Sequence, residues 1–137
     1  MKLSVKVEYA CRVLAQLGRH YGASGLSHIE DLAQIEKIPS NYLAQILTEL
    51  RHGGVIVSRR GKQGGYALAR KPEEITLYDI VKIIDGELLV FNTEEEGHSG
   101  KGVVHVWMEV RAFLEAKTKE YTIEDFIVKE GEGMYYI

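Results

Sequence analysis

The sequence predicts a mainly α-helical chain that carries one small β-hairpin and ends on a long helix. Apolar residues recur at helical spacing in several separate stretches. A β-branched run, Val55-Ile56-Val57, is answered a few residues later by Tyr66-Ala67-Leu68, and the residues between are rich in glycine and cations, which suits a hairpin. Near the C-terminus, Val103, Val106, Trp107, Val110, Phe113 and Leu114 form a broad apolar stripe on one extended helical segment.

Taken in order, Val5, Tyr9, Val13, Leu14 and Leu17 mark a first helix from Val5 to about His20, with Gly22 and Gly25 as the stop. Ser27-His28-Ile29-Glu30 has the capping-box pattern, predicting a short helix that Ser27 caps and that runs to about Glu36. Pro39 biases Ile38 away from helical angles, so the chain turns there and Ser40 is expected to cap a helix from Asn41 to His52. Gly53-Gly54 ends that helix, and the hairpin follows with its tip at Arg59-Arg60-Gly61-Lys62-Gln63-Gly64-Gly65. Thr76 and Asp79 form a second capping box at the start of a helix carrying Leu77, Ile80, Val81 and Ile84, closed by Gly86. Asn92 to Gly102 is polar, acidic and glycine-containing and reads as an exposed loop. The striped helix then runs from Val103 to about Glu120, Thr122 caps a last helix from Ile123 to Lys129, and an aromatic tail, Met134-Tyr135-Tyr136-Ile137, follows.

Composition narrows the function. With 137 residues, 45% hydrophobic and 27% charged, the chain has the material for one globular domain and a helical appendage. No apolar run approaches the roughly 18 residues that would cross a bilayer, and MKLSVKVEYA lacks the apolar core of a signal peptide, so the expected location is cytoplasmic, with no membrane partner. The single cysteine, Cys11, excludes an intrachain disulfide and any cysteine-built metal or iron-sulfur site within one chain. The net charge of −3 argues against a polyanionic partner only until its distribution is considered. Residues 1 to 72 hold eleven Lys and Arg against five acids, a net of +6, and the remainder six against fifteen, a net of −9. A basic module with an acidic companion is the implication.

Helix, short helix, turn, second helix and basic hairpin is the order of a winged helix-turn-helix, whose second short helix enters the DNA major groove. The division expected is a DNA-binding domain over residues 1–86, a loop over 87–102, and a dimerisation helix with its tail over 103–137. On the recognition helix, Asn41, Gln45, Thr48 and Arg51 are left outward by an apolar set of Tyr42, Leu43, Ile46, Leu47 and Leu50. Asn and Gln can pair bidentately with adenine, Thr can bond a base or touch a thymine methyl, and Arg51 suits a phosphate. On the wing, Arg59, Arg60 and Lys62 sit among glycines that let the chain approach phosphates or the narrow minor groove. No catalytic residue is expected, because His20, His28, His52, His98, His105 and Glu94 to Glu96 make no recognised catalytic or metal motif. The competing class is a winged-helix protein-interaction module, against which the basic half and the basic wing discriminate.

Lys2-Leu3-Ser4 with Tyr9-Ala10, then Asn41-Tyr42-Leu43-Ala44-Gln45-Ile46-Leu47, Leu50-Arg51, and Arg60-Gly61-Lys62-Gln63-Gly64-Gly65-Tyr66-Ala67-Leu68 resemble the Rrf2 family of transcription regulators. Thr76-Leu77-Tyr78-Asp79-Ile80-Val81 resembles the helix that follows the wing in that family. The resemblance implies a sequence-specific regulator of double-stranded DNA, a homodimeric repressor held by its long C-terminal helix on a pseudo-palindromic operator. With it, Lys2, Ser40, Tyr42 and Gly64 complete the DNA-facing set, and Val103, Val106, Trp107, Val110, Phe113 and Leu114 become the dimer interface. Two departures qualify it. Many members carry a Glu where this chain has Ala44, and the iron-sulfur members place three cysteines in the loop before the dimer helix, where this chain has Asn92-Thr93-Glu94-Glu95-Glu96-Gly97-His98-Ser99-Gly100-Lys101-Gly102. No cofactor or metal is therefore expected. The ending Gly133-Met134-Tyr135-Tyr136-Ile137 and the chain length resemble the cluster-free branch that represses cysteine metabolism, which implies control by a partner protein; a small-molecule effector is the other route.

Overall fold

A computed structural model describes residues 2–23 and 25–127. The first helix, α1 (Val5–Arg19), begins where the Ser4 hydroxyl accepts a hydrogen bond from the Val7 N–H at 3.2 Å. It buries Val7, Ala10, Val13, Leu14 and Leu17, with Arg19 in its last turn beside the negative end of the helix dipole.

The next helix, α2 (Ile29–Glu36), has His28 at its N-cap without a side-chain cap bond. The capping role expected of Ser27 is thus not taken up. Ser27 instead exchanges two backbone hydrogen bonds with Tyr66, at 2.9 and 2.8 Å, which makes it a one-residue third strand beside the hairpin. Lys37 closes α2 in the left-handed conformation at φ 56°, and Ile38 drops into the core. Helix α3 (Ser40–His52) starts one residue earlier than expected, with Pro39 at the N-cap and Ser40 inside the first turn. Proline suits this end of a helix because its φ, −55° here, is already helical and the missing N–H would lack a partner.

Gly53 and Gly54 end α3, and the chain enters strands β1 (Ile56–Arg59) and β2 (Gly65–Leu68), paired antiparallel with Ile56 opposite Leu68 and Arg59 opposite Gly65. After a 3-10 turn at Pro72–Glu74, helix α4 (Leu77–Ile84) opens on the expected capping box, in which Thr76 and Asp79 bond each other's backbone N–H groups at 3.0 Å. The long helix α5 (Gly100–Thr118) begins three residues before its first expected position, and, while the rest of the segment expected to reach Lys129 lies outside the described residues, α6 runs over Ile123–Phe126 with Ile127 already extended. Its start is held by the Thr122 N–H donating to Asp125 at 2.8 Å, and its backbone returns to the segment before α4, where the Leu77 N–H meets the Tyr121 carbonyl and the Ile123 N–H that of Ile75. The aromatic tail lies outside the described residues.

Leu14, Leu43, Ile46, Leu47, Leu50, Ile80 and Ile123 have no exposed surface and make one core between α1, α3, α4 and α6. Each such side chain contributes about 1.5 to 3 kcal/mol relative to its exposed state. Helix α5 stands outside this core. Its packing is chiefly on α4, and Val104 is its only buried residue.

Candidate nucleic-acid interface

Four apolar residues of α3, Leu43, Ile46, Leu47 and Leu50, face the core, so the helix turns the opposite stripe to solvent. Ser40, Asn41, Tyr42, Ala44, Gln45, Thr48 and Arg51 are all exposed. Tyr42, expected both among the apolar contacts and in the DNA-facing set, sits at the border. It is 39% exposed and packs edge-on against Tyr9 of α1, the ring centres 5.7 Å apart. The Thr48 hydroxyl donates to the Ala44 carbonyl at 3.0 Å. Helix α3 is anchored to α1 by Lys6, whose ammonium donates to the Glu49 carboxylate at 2.8 Å. Lys2 is exposed and precedes α1 at the end nearer this ion pair.

The wing lies against the C-terminal end of the same helix. Arg51 donates to the Ser58 hydroxyl at 3.3 Å, bridging α3 to β1. Arg59, Arg60 and Lys62 are exposed on the hairpin. Between the wing and the start of α2 runs a notch lined by His28, Glu30, Arg51, Ser58, Arg59 and Arg60, among others. Of these, His28, Glu30 and Ser58 lie outside the residues expected from sequence, since nothing local marks His28 and Glu30 as neighbours of the wing or Ser58 as the partner of Arg51.

Gly64 departs from its expected part. It is buried, its N–H is spent on the Gly61 carbonyl at 2.9 Å, and a Cβ there would collide with the carbonyl oxygen of Arg59. It closes the wing loop from inside instead of offering an amide to a phosphate. Gly65, at φ 142°, runs so close to the Ser27 carbonyl that a side chain would break the third-strand pairing. The glycines therefore shape the loop that presents the three cations.

Cys11 lies on α1, partly buried against the core. Burial, and after it the nearby Glu8 carboxylate, push its thiol up to about 11. At about pH 8 its thiolate fraction should then lie about 100-fold below that of a solvated cysteine, because well below the pKa the thiolate population drops about tenfold each time the pKa rises by one. Alkylation of the folded protein is expected to be slower than that of the denatured chain by about that factor. Equal rates would show Cys11 to be an ordinary exposed thiol.

The model of the Rrf2 family, described as an iron-dependent transcriptional regulator, matches residues 3–129. A helix-turn-helix-type transcriptional regulator of Mycobacterium tuberculosis is 37% identical over 131 residues, covering 91% of this chain and 80% of that protein. The transcriptional regulator CymR of Bacillus subtilis is 29% identical over the full length of both chains. Its solved structure, described as the global cysteine regulator, superposes with a TM-score of 0.78 at 28% identity, covering 92% of this chain and 95% of that one. The structure of IscR from T. potens matches with a TM-score of 0.75 at 29% identity, over 99% of this chain and 97% of that one.

Iron, named in the family's description, finds no fitting donor set here. The chain has one cysteine, on α1, and no group of three His, Cys, Asp or Glu side chains converges among the described residues. The loop before α5 presents Glu94, Glu95, Glu96 and His98, all exposed, in place of thiolates. What the chain does keep is the helical frame, the hairpin and the exposed polar helix of regulators matched over nearly their whole length: it belongs to the Rrf2 family, and it is a DNA-binding transcription regulator with a winged helix-turn-helix fold, not an enzyme.

Proposed function

We propose that the protein works as a cytoplasmic homodimeric repressor that binds a pseudo-palindromic operator. In this reading residues 1–86 form the DNA-binding unit, residues 87–102 a connecting loop and residues 103–137 the dimer element. The observation that carries it is the continuity of one exposed surface. The outward stripe of α3 runs through Arg51, bonded to Ser58, onto a wing bearing Arg59, Arg60 and Lys62. Asn41, Gln45 and Thr48 are the base-reading candidates, with Ser40 and Tyr42 at the entrance of the helix. Lys2, Arg51 and the wing cations neutralise phosphates and set the register. Steric exclusion of polymerase is the simplest action of so small a dimer. Its control falls to a partner protein or a small-molecule effector, because the donor set suits no cluster.

Selection from a random duplex pool tests the reading. The wild-type protein should enrich a sequence of two inverted half-sites with centres about 34 Å, or one DNA turn, apart. Binding to the enriched duplex should exceed that to random DNA by about a thousandfold or more. A winged helix serving only as a protein-interaction module would enrich no sequence.

A further inference from the structure

The exposed stripe of α3 is not uniformly polar. Asn41 precedes Ala44 by three residues and Gln45 by four, and Thr48 follows Ala44 by four, so Ala44 and Thr48 stand one turn apart on the same face. Both are exposed. Thr48 donates its only hydroxyl hydrogen to the Ala44 carbonyl at 3.0 Å. With that hydrogen committed to its own helix, Thr48 has none left to give to a base. Staggering about the Cα–Cβ bond turns its Cγ2 methyl away from the position the hydroxyl occupies at the backbone. Two methyl groups, the Ala44 Cβ and the Thr48 Cγ2, thus interrupt a stripe whose flanking members, Asn41 and Gln45, are amides.

The edges of base pairs in the major groove carry one apolar feature, the C5-methyl of thymine. We propose that Ala44 and Thr48 together form a thymine-methyl reader in the recognition helix, so that specificity beneath this part of α3 comes from apolar contact, while Asn41 and Gln45 supply the hydrogen-bonded readout beside it. The proposal rests on the DNA-binding reading given above. It assigns Ala44 a specificity-determining role although it has no polar atom in its side chain.

Deoxyuridine differs from thymidine only by the absent methyl. In the operator obtained by selection, each thymine is replaced singly by deoxyuridine and the affinity of the full-length wild-type protein is measured. One or more thymines in each half-site should show a loss of about fourfold per methyl, the value for one buried methyl group. Thr48→Ser, which keeps the hydroxyl and removes the methyl from both protomers, should lose about the square of that factor, about 16-fold, on the natural operator and become indifferent to deoxyuridine at the thymine under residue 48. Thr48→Val, which keeps methyls and removes the hydroxyl, should retain the sensitivity. An operator indifferent to deoxyuridine at every thymine would overturn the reader while leaving DNA binding intact. So would a Thr48→Ser variant with undiminished sensitivity, and loss of sensitivity in Thr48→Val would show that Thr48 reads through its oxygen instead. A wild-type protein that selects no operator would overturn the DNA reading and the reader with it.

Discussion

Replacing Arg59, Arg60 and Lys62 together by glutamine is expected to abolish most of the affinity for duplex DNA and to flatten its dependence on salt. Each cation that neutralises a phosphate releases condensed counterions, and the logarithm of affinity then falls with the logarithm of salt by about 0.9 per contact. Two protomers would lose six such contacts between them, so the slope should become shallower by about 5. Over a fourfold rise in salt, the wild-type protein should accordingly lose about a thousandfold more affinity than the variant does. Glutamine keeps a flexible polar side chain while removing the charge. All three residues are exposed, and none enters an ion pair among the described residues, so the thermal unfolding midpoint should scarcely move. An unchanged salt slope in a folded variant would remove the wing from DNA binding and leave α3 alone to hold the duplex.

What the sequence discloses about this fold is what local chemistry decides. The Thr76 and Asp79 box was legible because both partners lie within one turn, and it is present atom for atom. The same pattern at Ser27 misled, because the competing partner is Tyr66, far along the chain. Two backbone bonds to a strand outweigh one side-chain cap, and no local pattern announces them. At Ser40 the error is one residue. A proline at φ −55° is equally at home as N-cap or first helical residue, so the sequence marks the turn without deciding its last angle. Gly64 is the sharper case: the sequence shows a glycine in a basic loop, whereas the reason for it is a backbone carbonyl that only the folded loop brings close.

The interface follows the same division. Spacing alone sorts Leu43, Ile46, Leu47 and Leu50 from Asn41, Gln45 and Thr48, and the uneven charge of the two halves points to the basic hairpin. The geometry adds the state of each polar group. Arg51 is engaged by Ser58, and Thr48 is turned inward to Ala44. Those bonds change which chemistry each side chain offers a ligand, and a sequence cannot state them.

Val106→Asp is expected to convert the protein into monomers and to lower operator affinity by about a hundredfold to ten-thousandfold, the factor by which linked sites exceed a single one. Of the 19 residues in α5 only Val104 is buried, while Val103, Val106, Trp107 and Phe113 are 53%, 55%, 40% and 68% exposed. Val110 and Leu114 continue the stripe, half-buried. An apolar helix face of this width left in water marks an association surface, and a second copy of the same helix is the occupant that the proposed inverted repeat requires, because a twofold axis then sets the two recognition helices one DNA turn apart. In such an interface the substitution places two carboxylates, one from each protomer, where their desolvation has no compensating partner. In the single chain the same residue is solvent-exposed, so the variant should fold, keep its helical content and retain the weak binding of one half-site. Sedimentation at micromolar concentration distinguishes the outcomes. A variant that stays dimeric with unaltered operator affinity would place the dimer contact elsewhere, and a wild-type protein that sediments as a monomer would sink the twofold architecture altogether.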